Sequence, residues 1–95
     1  MSVLEVETFE VNPDITQDDF LVLDAQMQEW CYLNRSGLAR RTTARNDDGT
    51  YIVITLFDDA SRIDSTYNTR GDNVVRTWCA AIKESSRRVS VYSLM

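Results

Sequence analysis

Glu5 and Glu7 stand two residues apart in the run Val3 to Val11. On a strand that spacing puts both carboxylates on one face. Buried without partners they would be costly, so they must find bases or shift their pKa upward. Two readings stay open: a general acid/base pair for proton abstraction or isomerisation, or ion pairs to Arg87 or Arg88, or exposure near a rim. Trp30 and Trp78 sit among apolar neighbours at helical spacing, and with Thr8, Tyr51 and Tyr67 they are candidates to line a flat aromatic pocket; plain core packing is the competing reading. The absence of His removes imidazole ligands and His bases, and two Cys alone leave a zinc set short, so no metal is expected. Asp47-Asp48-Gly49 and Asp58-Asp59 lack the spacing and closing Glu of a calcium loop and read as turns and caps. No P-loop, Gly-rich dinucleotide turn or nucleophile elbow occurs, and no cofactor is expected.

The elements that must position these groups follow from periodicity. Val3 to Val11 reads as a strand stopped at Asn12-Pro13. Thr16 is placed as a helix N-cap, with Asp19 in capping-box position and Ile15 and Phe20 as a hydrophobic staple. Phe20, Leu23, Met27, Trp30 and Asn34 recur at steps of 3 and 4, a helical stripe closed by Gly37. Leu38 to Arg45 is a polar strand, Asn46 to Gly49 a hairpin turn, and Tyr51 to Phe57 a strand apolar on both faces. A short helix is expected from Ala60 to about Tyr67, interrupted over Asn68 to Asp72. A second piece follows in which Val75, Trp78, Cys79 and Ile82 share a side. Ser85-Ser86 breaks it, and Arg88 to Leu94 is the last strand.

Strand, helix, strand, strand, interrupted helix, strand is the order of a ferredoxin-like α+β fold (βαββαβ), a four-stranded antiparallel sheet with both helices on one face. The 95 residues, 1–95, fit one domain. Arg40-Arg41 and Arg87-Arg88 fall on the edge strands, where basic side chains are expected to be solvated, to bridge to a partner chain or to meet an anionic ligand, and where they discourage strand pairing. Ile52, Ile54 and Leu56 point away from the helices and need a cover. A second copy is the simplest one, so a homodimer joined through sheet faces is expected.

Ten Lys+Arg against fifteen Asp+Glu, net charge −5, argue against nucleic acid or an anionic membrane as partner. An RNA-binding module of this topology is disfavoured by Glu5, Glu7 and the acidic balance. The start Met-Ser-Val-Leu-Glu has neither a basic region nor a signal-length apolar run, and no stretch is long enough to span a bilayer, so a soluble, cytoplasmic protein with buried thiols is expected.

The run Val3-Leu4-Glu5-Val6-Glu7-Thr8-Phe9, Phe20 opening an amphipathic helix, and Ser36-Gly37-Leu38-Ala39-Arg40-Arg41 resemble the dimeric α/β-barrel superfamily. So do the hairpin into an apolar strand ending near Phe57-Asp58 and the interrupted second helix. The resemblance covers almost the whole chain and is similar to that of antibiotic biosynthesis monooxygenase-like proteins. It implies two sheets packed as a barrel across a dimer, a pocket between each sheet and its helices, and a small apolar or aromatic ligand. It also implies either cofactor-independent oxygenation of a small aromatic or polyketide-type molecule, or a non-catalytic ligand-binding or stress-related barrel. The haem-degrading branch calls for an Asn on the first strand and a Trp and a His on the second helical region; Trp78 is in a plausible place, but Glu7-Thr8 and the lack of His depart from it. The monooxygenase branch surrounds its substrate with Asn, Trp, Tyr or Arg, for which Trp78, Tyr51 and Tyr67 are available.

Overall fold

Strand β1 (Val3–Phe9) lies at the centre because its odd-numbered residues bury a complete row against the helices. The structure, a computed structural model, describes residues 1–63 and 72–95, apart from the Arg62 side chain. After β1 come α1 (Gln17–Asn34), β2 (Leu38–Arg45), β3 (Tyr51–Phe57), a 3-10 turn (Ala60–Arg62), α2 (Asn73–Ala81), a second 3-10 turn (Glu84–Ser86) and β4 (Arg88–Ser93). The four strands form one sheet in the order β2-β3-β1-β4, each neighbour antiparallel, which is the expected ferredoxin-like arrangement with β1 and β3 central.

Local chemistry sets the element ends. The Asp19 amide donates to Thr16 Oγ1 at 3.1 Å, capping α1 beside the acidic first turn that suits the helix dipole. At the other end Arg35, not Gly37, is the C-cap, its amide donating to the Cys31 carbonyl at 2.8 Å. Gly37, at φ 78°, then turns the chain into β2. In the hairpin Asn46 Oδ1 accepts from the amides of Asp48 and Thr50, at 3.2 and 2.9 Å, and Gly49 takes φ 92°. The Asp48 carboxyl is held below its ordinary pKa by hydrogen bonds from Thr50.

Beyond the end of α1, four boundaries differ from expectation. α2 ends at Ala81, with Ile82 an extended C-cap, before Ser85-Ser86. β1 stops at Phe9, because the Glu10 amide turns to Ser86 Oγ at 2.8 Å; Val11 makes only an isolated bridge to Ile82. The helix expected from Ala60 begins as a single 3-10 turn whose Asp59 cap accepts from the Ser61 amide at 2.9 Å, and Ile63 is extended. Its remainder, including Tyr67, lies outside the described residues. β4 ends at Ser93 rather than Leu94.

The two faces of the sheet separate cleanly. Tyr51, Val53, Thr55 and Phe57 are buried toward the helices, while Ile52, Ile54 and Leu56 are half-buried on the far face. There they join Leu4 and Val6 of β1 and the half-exposed Tyr92 of β4. Among the described residues, no helix is long and apolar enough to cross a membrane.

Candidate functional site

The layer between helices and sheet holds the chemistry-bearing residues, and rings fill its centre. Phe9, Phe20, Tyr51 and Trp78 interlock: Phe9 stacks on Tyr51 at 5.8 Å between centroids and meets the Trp78 edge at 5.5 Å, while Phe20 lies 4.9 Å from Tyr51. Aromatic pairs in such offset and edge contacts add to what area burial alone contributes. Met27, Trp30, Cys31, Val53, Val75, Ala81 and Ile82 complete the cluster. Trp78 is 1% exposed and Phe20 fully buried.

Around these rings the layer is polar. Glu5 and Glu7 both face the helices, with Val3 and Phe9 on the same side of β1. Glu5 receives a two-pronged hydrogen bond from Arg35, Nη1 to Oε1 at 3.0 Å and Nη2 to Oε2 at 3.2 Å, and the Arg35 guanidinium also lies 4.8 Å from the Phe57 ring centroid. Such a planar fork satisfies both carboxylate oxygens at once. Glu7 pairs with Arg87 Nε. Burial pushes the Glu7 carboxyl above its ordinary pKa; Arg87 pulls it back only in part, and Glu5 adds to the rise. Asp24, on the inner side of α1, accepts from Arg41 Nη2 at 2.8 Å and from Trp78 Nε1 at 3.0 Å, both on Oδ1. One carboxylate thus ties α1, β2 and α2 together. Arg41 is completed by Thr43 Oγ1 and Gln28 Oε1, at 3.4 and 3.5 Å, and lies 5.8 Å from the Trp78 ring centroid. Burial also raises the pKa of the Cys31 and Cys79 thiols, which are free.

The candidate residues therefore divide. Trp30, Tyr51 and Trp78 meet in the helix–sheet layer, as do Glu5 and Glu7. Thr8 sits on the opposite face of the sheet, opposite Ile52, away from Trp30 and Trp78, but with Tyr51 it lines a shallow cavity of ≈ 390 Å³ at the hairpin end. Of the two pairings considered for the glutamates, Glu7 takes Arg87; Glu5 instead takes Arg35, thirty residues away. The arginine pairs split as well. Arg40 is exposed and Arg41 buried, because a register shift between Leu38 and Arg40 puts one extra residue into β2 and turns Arg41 to the helix side. Arg87 is partly buried on Glu7, while Arg88 is exposed and bonds the Ser85 and Arg87 carbonyls. Asp24 and Arg35 were not singled out as site residues by sequence; Arg41 was expected to meet solvent, a partner chain or an anionic ligand and is instead buried on Asp24. Asp24 had a signal: it lies four residues after Phe20 and three before Met27, a carboxylate inside the apolar stripe.

This arrangement can hold charge in a dry layer and fix helices to strands. Every carboxylate in it faces an arginine, and groups of three or more metal-ligating side chains do not occur among the described residues.

No family model matches the chain, and no curated protein matches it. Solved structures do. SnoaB, a cofactor-independent oxygenase from Streptomyces nogalater, superposes with a TM-score of 0.71 at 15% identity, covering 98% of this chain and 92% of that one. A dimeric ferredoxin-like protein of unknown function from Jannaschia sp. gives 0.70 at 12% identity over 99% of this chain and 100% of that one. A dimeric protein of unknown function with a ferredoxin-like fold, from Bacteroides fragilis, gives 0.65 at 20% identity over 98% and 96%. The chain shares its ferredoxin-like α+β fold with antibiotic biosynthesis monooxygenase-like proteins and with dimeric ferredoxin-like proteins.

Proposed function

We propose that this chain, as a single domain, forms a cytoplasmic homodimer through the far faces of its sheets, a dimeric α/β barrel in which the helix–sheet layer is structural and not catalytic. One observation carries the second half. Trp78, the aromatic best placed for oxygenase-type chemistry, is held by Phe9, Phe20, Arg41 and Asp24 and is 1% exposed. Glu5 and Glu7, the candidate acid/base pair, are each engaged by an arginine, which opposes a role as free proton acceptor. The dimer rests on Leu4, Val6, Ile52, Ile54 and Leu56, an apolar patch that one chain leaves half-covered, and is in keeping with the dimeric proteins of the same fold. On this reading the protein is a non-catalytic barrel, small-ligand-binding or stress-related, with its helix–sheet layer filled by side chains.

A second reading, a cofactor-independent monooxygenase acting on a small aromatic or polyketide-type molecule, draws on the oxygenase among the fold's relatives. Oxygen uptake with hydroquinone-type substrates separates the two. No uptake above background is expected. Uptake by the wild type that Trp78→Phe abolishes, with native circular dichroism retained, would instead establish the oxygenase.

A further inference from the structure

Phe20, Asp24, Met27 and Cys31 are buried and point α1 at the sheet. Val22, Gln26, Glu29 and Leu33, spaced by four, three and four residues, form the opposite stripe of the same helix, and all four are exposed. Two of them are apolar: Val22 is 58% exposed and Leu33 77%. Beside this stripe α1 meets α2. Leu23 shares an open depression of ≈ 470 Å³ with Thr77, Ala80 and Ala81. Leu33 shares a second, of ≈ 260 Å³, with Gln26, Trp30 and Val74. Early residues of α1 thus meet late residues of α2, so the helices run antiparallel and the two depressions follow the seam between them.

The rim of this seam is acidic. α1 exposes Asp18, Asp19 and Glu29 and holds no Lys or Arg in its 18 residues. Asp19 lies one turn before Leu23 on the seam side, and Glu29 lines the second depression. Asp72, also exposed, stands at the start of α2 beside Val74. Among the described residues, none of these four carboxylates is paired with a lysine or arginine. Arg76 is the single basic residue of the two helices. Four carboxylates against one guanidinium leave this surface at −3.

We propose that the α1–α2 seam docks an amphipathic helix of a partner protein, apolar along one side and rich in lysine or arginine on its flanks. The main-chain groups of α1 and α2 are spent within the helices, so side chains alone can recognise the partner, which is the helix-in-groove mode. Its apolar ridge lies in the seam against Leu23, Leu33 and Val74, as one helix packs between the ridges of others. Its flanking cations reach Asp19, Glu29 and Asp72. The 18 residues of α1 run about 27 Å, room for a partner of three to four turns. A second copy is the wrong occupant, since it lays the carboxylates of one α1 against those of another, and an anionic membrane is repelled for the same reason. The seam lies on the opposite side of the sheet from Ile54, so it stays open whether or not the far faces pair.

The test is titration of the 15N-labelled chain with an acetylated, amidated helical peptide of leucine and lysine, its leucines at helical spacing on one side. Amide shifts are expected at Leu23, Gln26, Leu33, Val74 and Thr77. Leu33→Ser should weaken binding about tenfold and Glu29→Lys about fivefold. Both positions are exposed, so the spectra of the free variants should match the wild type outside α1 and α2. The same peptide with glutamate for lysine should bind at least tenfold more weakly. Any of four results overturns the proposal: no shift at millimolar peptide, shifts spread over the sheet or confined to it, equal affinity for the glutamate peptide, or shifts at the seam that follow the concentration of the chain alone and so mark a second copy as the occupant.

Discussion

Replacing Asp24 with Ala probes how the helix–sheet layer is held. Asp24 Oδ1 receives Arg41 Nη2 at 2.8 Å and Trp78 Nε1 at 3.0 Å, and the Arg41 and Asp24 side chains are 2% and 9% exposed. Among the described residues, removing the carboxylate leaves the buried guanidinium hydrogen-bonded only to Gln28 and Thr43, at 3.5 and 3.4 Å, too long to compensate it. Breaking a buried pair from one side costs about 3–5 kcal/mol. Domains of this size have roughly 5–15 kcal/mol in total, so Asp24→Ala should sit close to unfolding. Removing both charges, in Asp24→Leu with Arg41→Met, should recover most of the loss, because well-packed apolar groups replace buried pairs at little cost. Urea unfolding followed by tryptophan fluorescence, at one fixed protein concentration because a dimer's stability depends on it, gives all the values. A loss below about 1 kcal/mol in the single variant, or a double variant no better than the single, refutes the argument that Asp24 neutralises a desolvated Arg41.

Two further outcomes follow from the same geometry. Burial raises the Glu7 pKa above its ordinary value of 4.5. The folded state therefore holds the proton more tightly than the unfolded one, and the stability this group contributes is complete below about 4.5 and lost as pH rises through the folded value. Glu7→Gln mimics the protonated acid, so wild-type stability minus that of the variant should fall as pH rises from 4.5; a rising difference contradicts the raised pKa. Thr16→Ala removes the acceptor for the Asp19 amide and should lower the urea midpoint by an amount worth about 1 kcal/mol; an unchanged midpoint means the cap does not hold α1.

The strands and the Thr16 cap were legible because their signals are local. A two-residue period marks β3 on both faces, and Thr16 with Asp19 needs no information beyond four residues. The charged layer was less legible because its partners are distant: Arg35 meets Glu5 across thirty positions, and Trp78 meets Asp24 across fifty-four. The fates of Arg40 and Arg41 depended on one irregular residue in β2, which reverses the alternation beyond it and which no local propensity announces. The separation of Thr8 from Trp30 and Trp78 was not legible, because type and order alone do not tell which face of β1 meets the helices.

The central claim is that the far face of the sheet, centred on Ile54, is covered by a second copy of the chain. Sedimentation equilibrium at micromolar concentration measures this directly, with Ile54→Lys beside the wild type. The account predicts twice the 10.9 kDa chain mass for the wild type and a single chain mass for the variant. A wild type that sediments at 10.9 kDa, or a variant that stays dimeric, contradicts it.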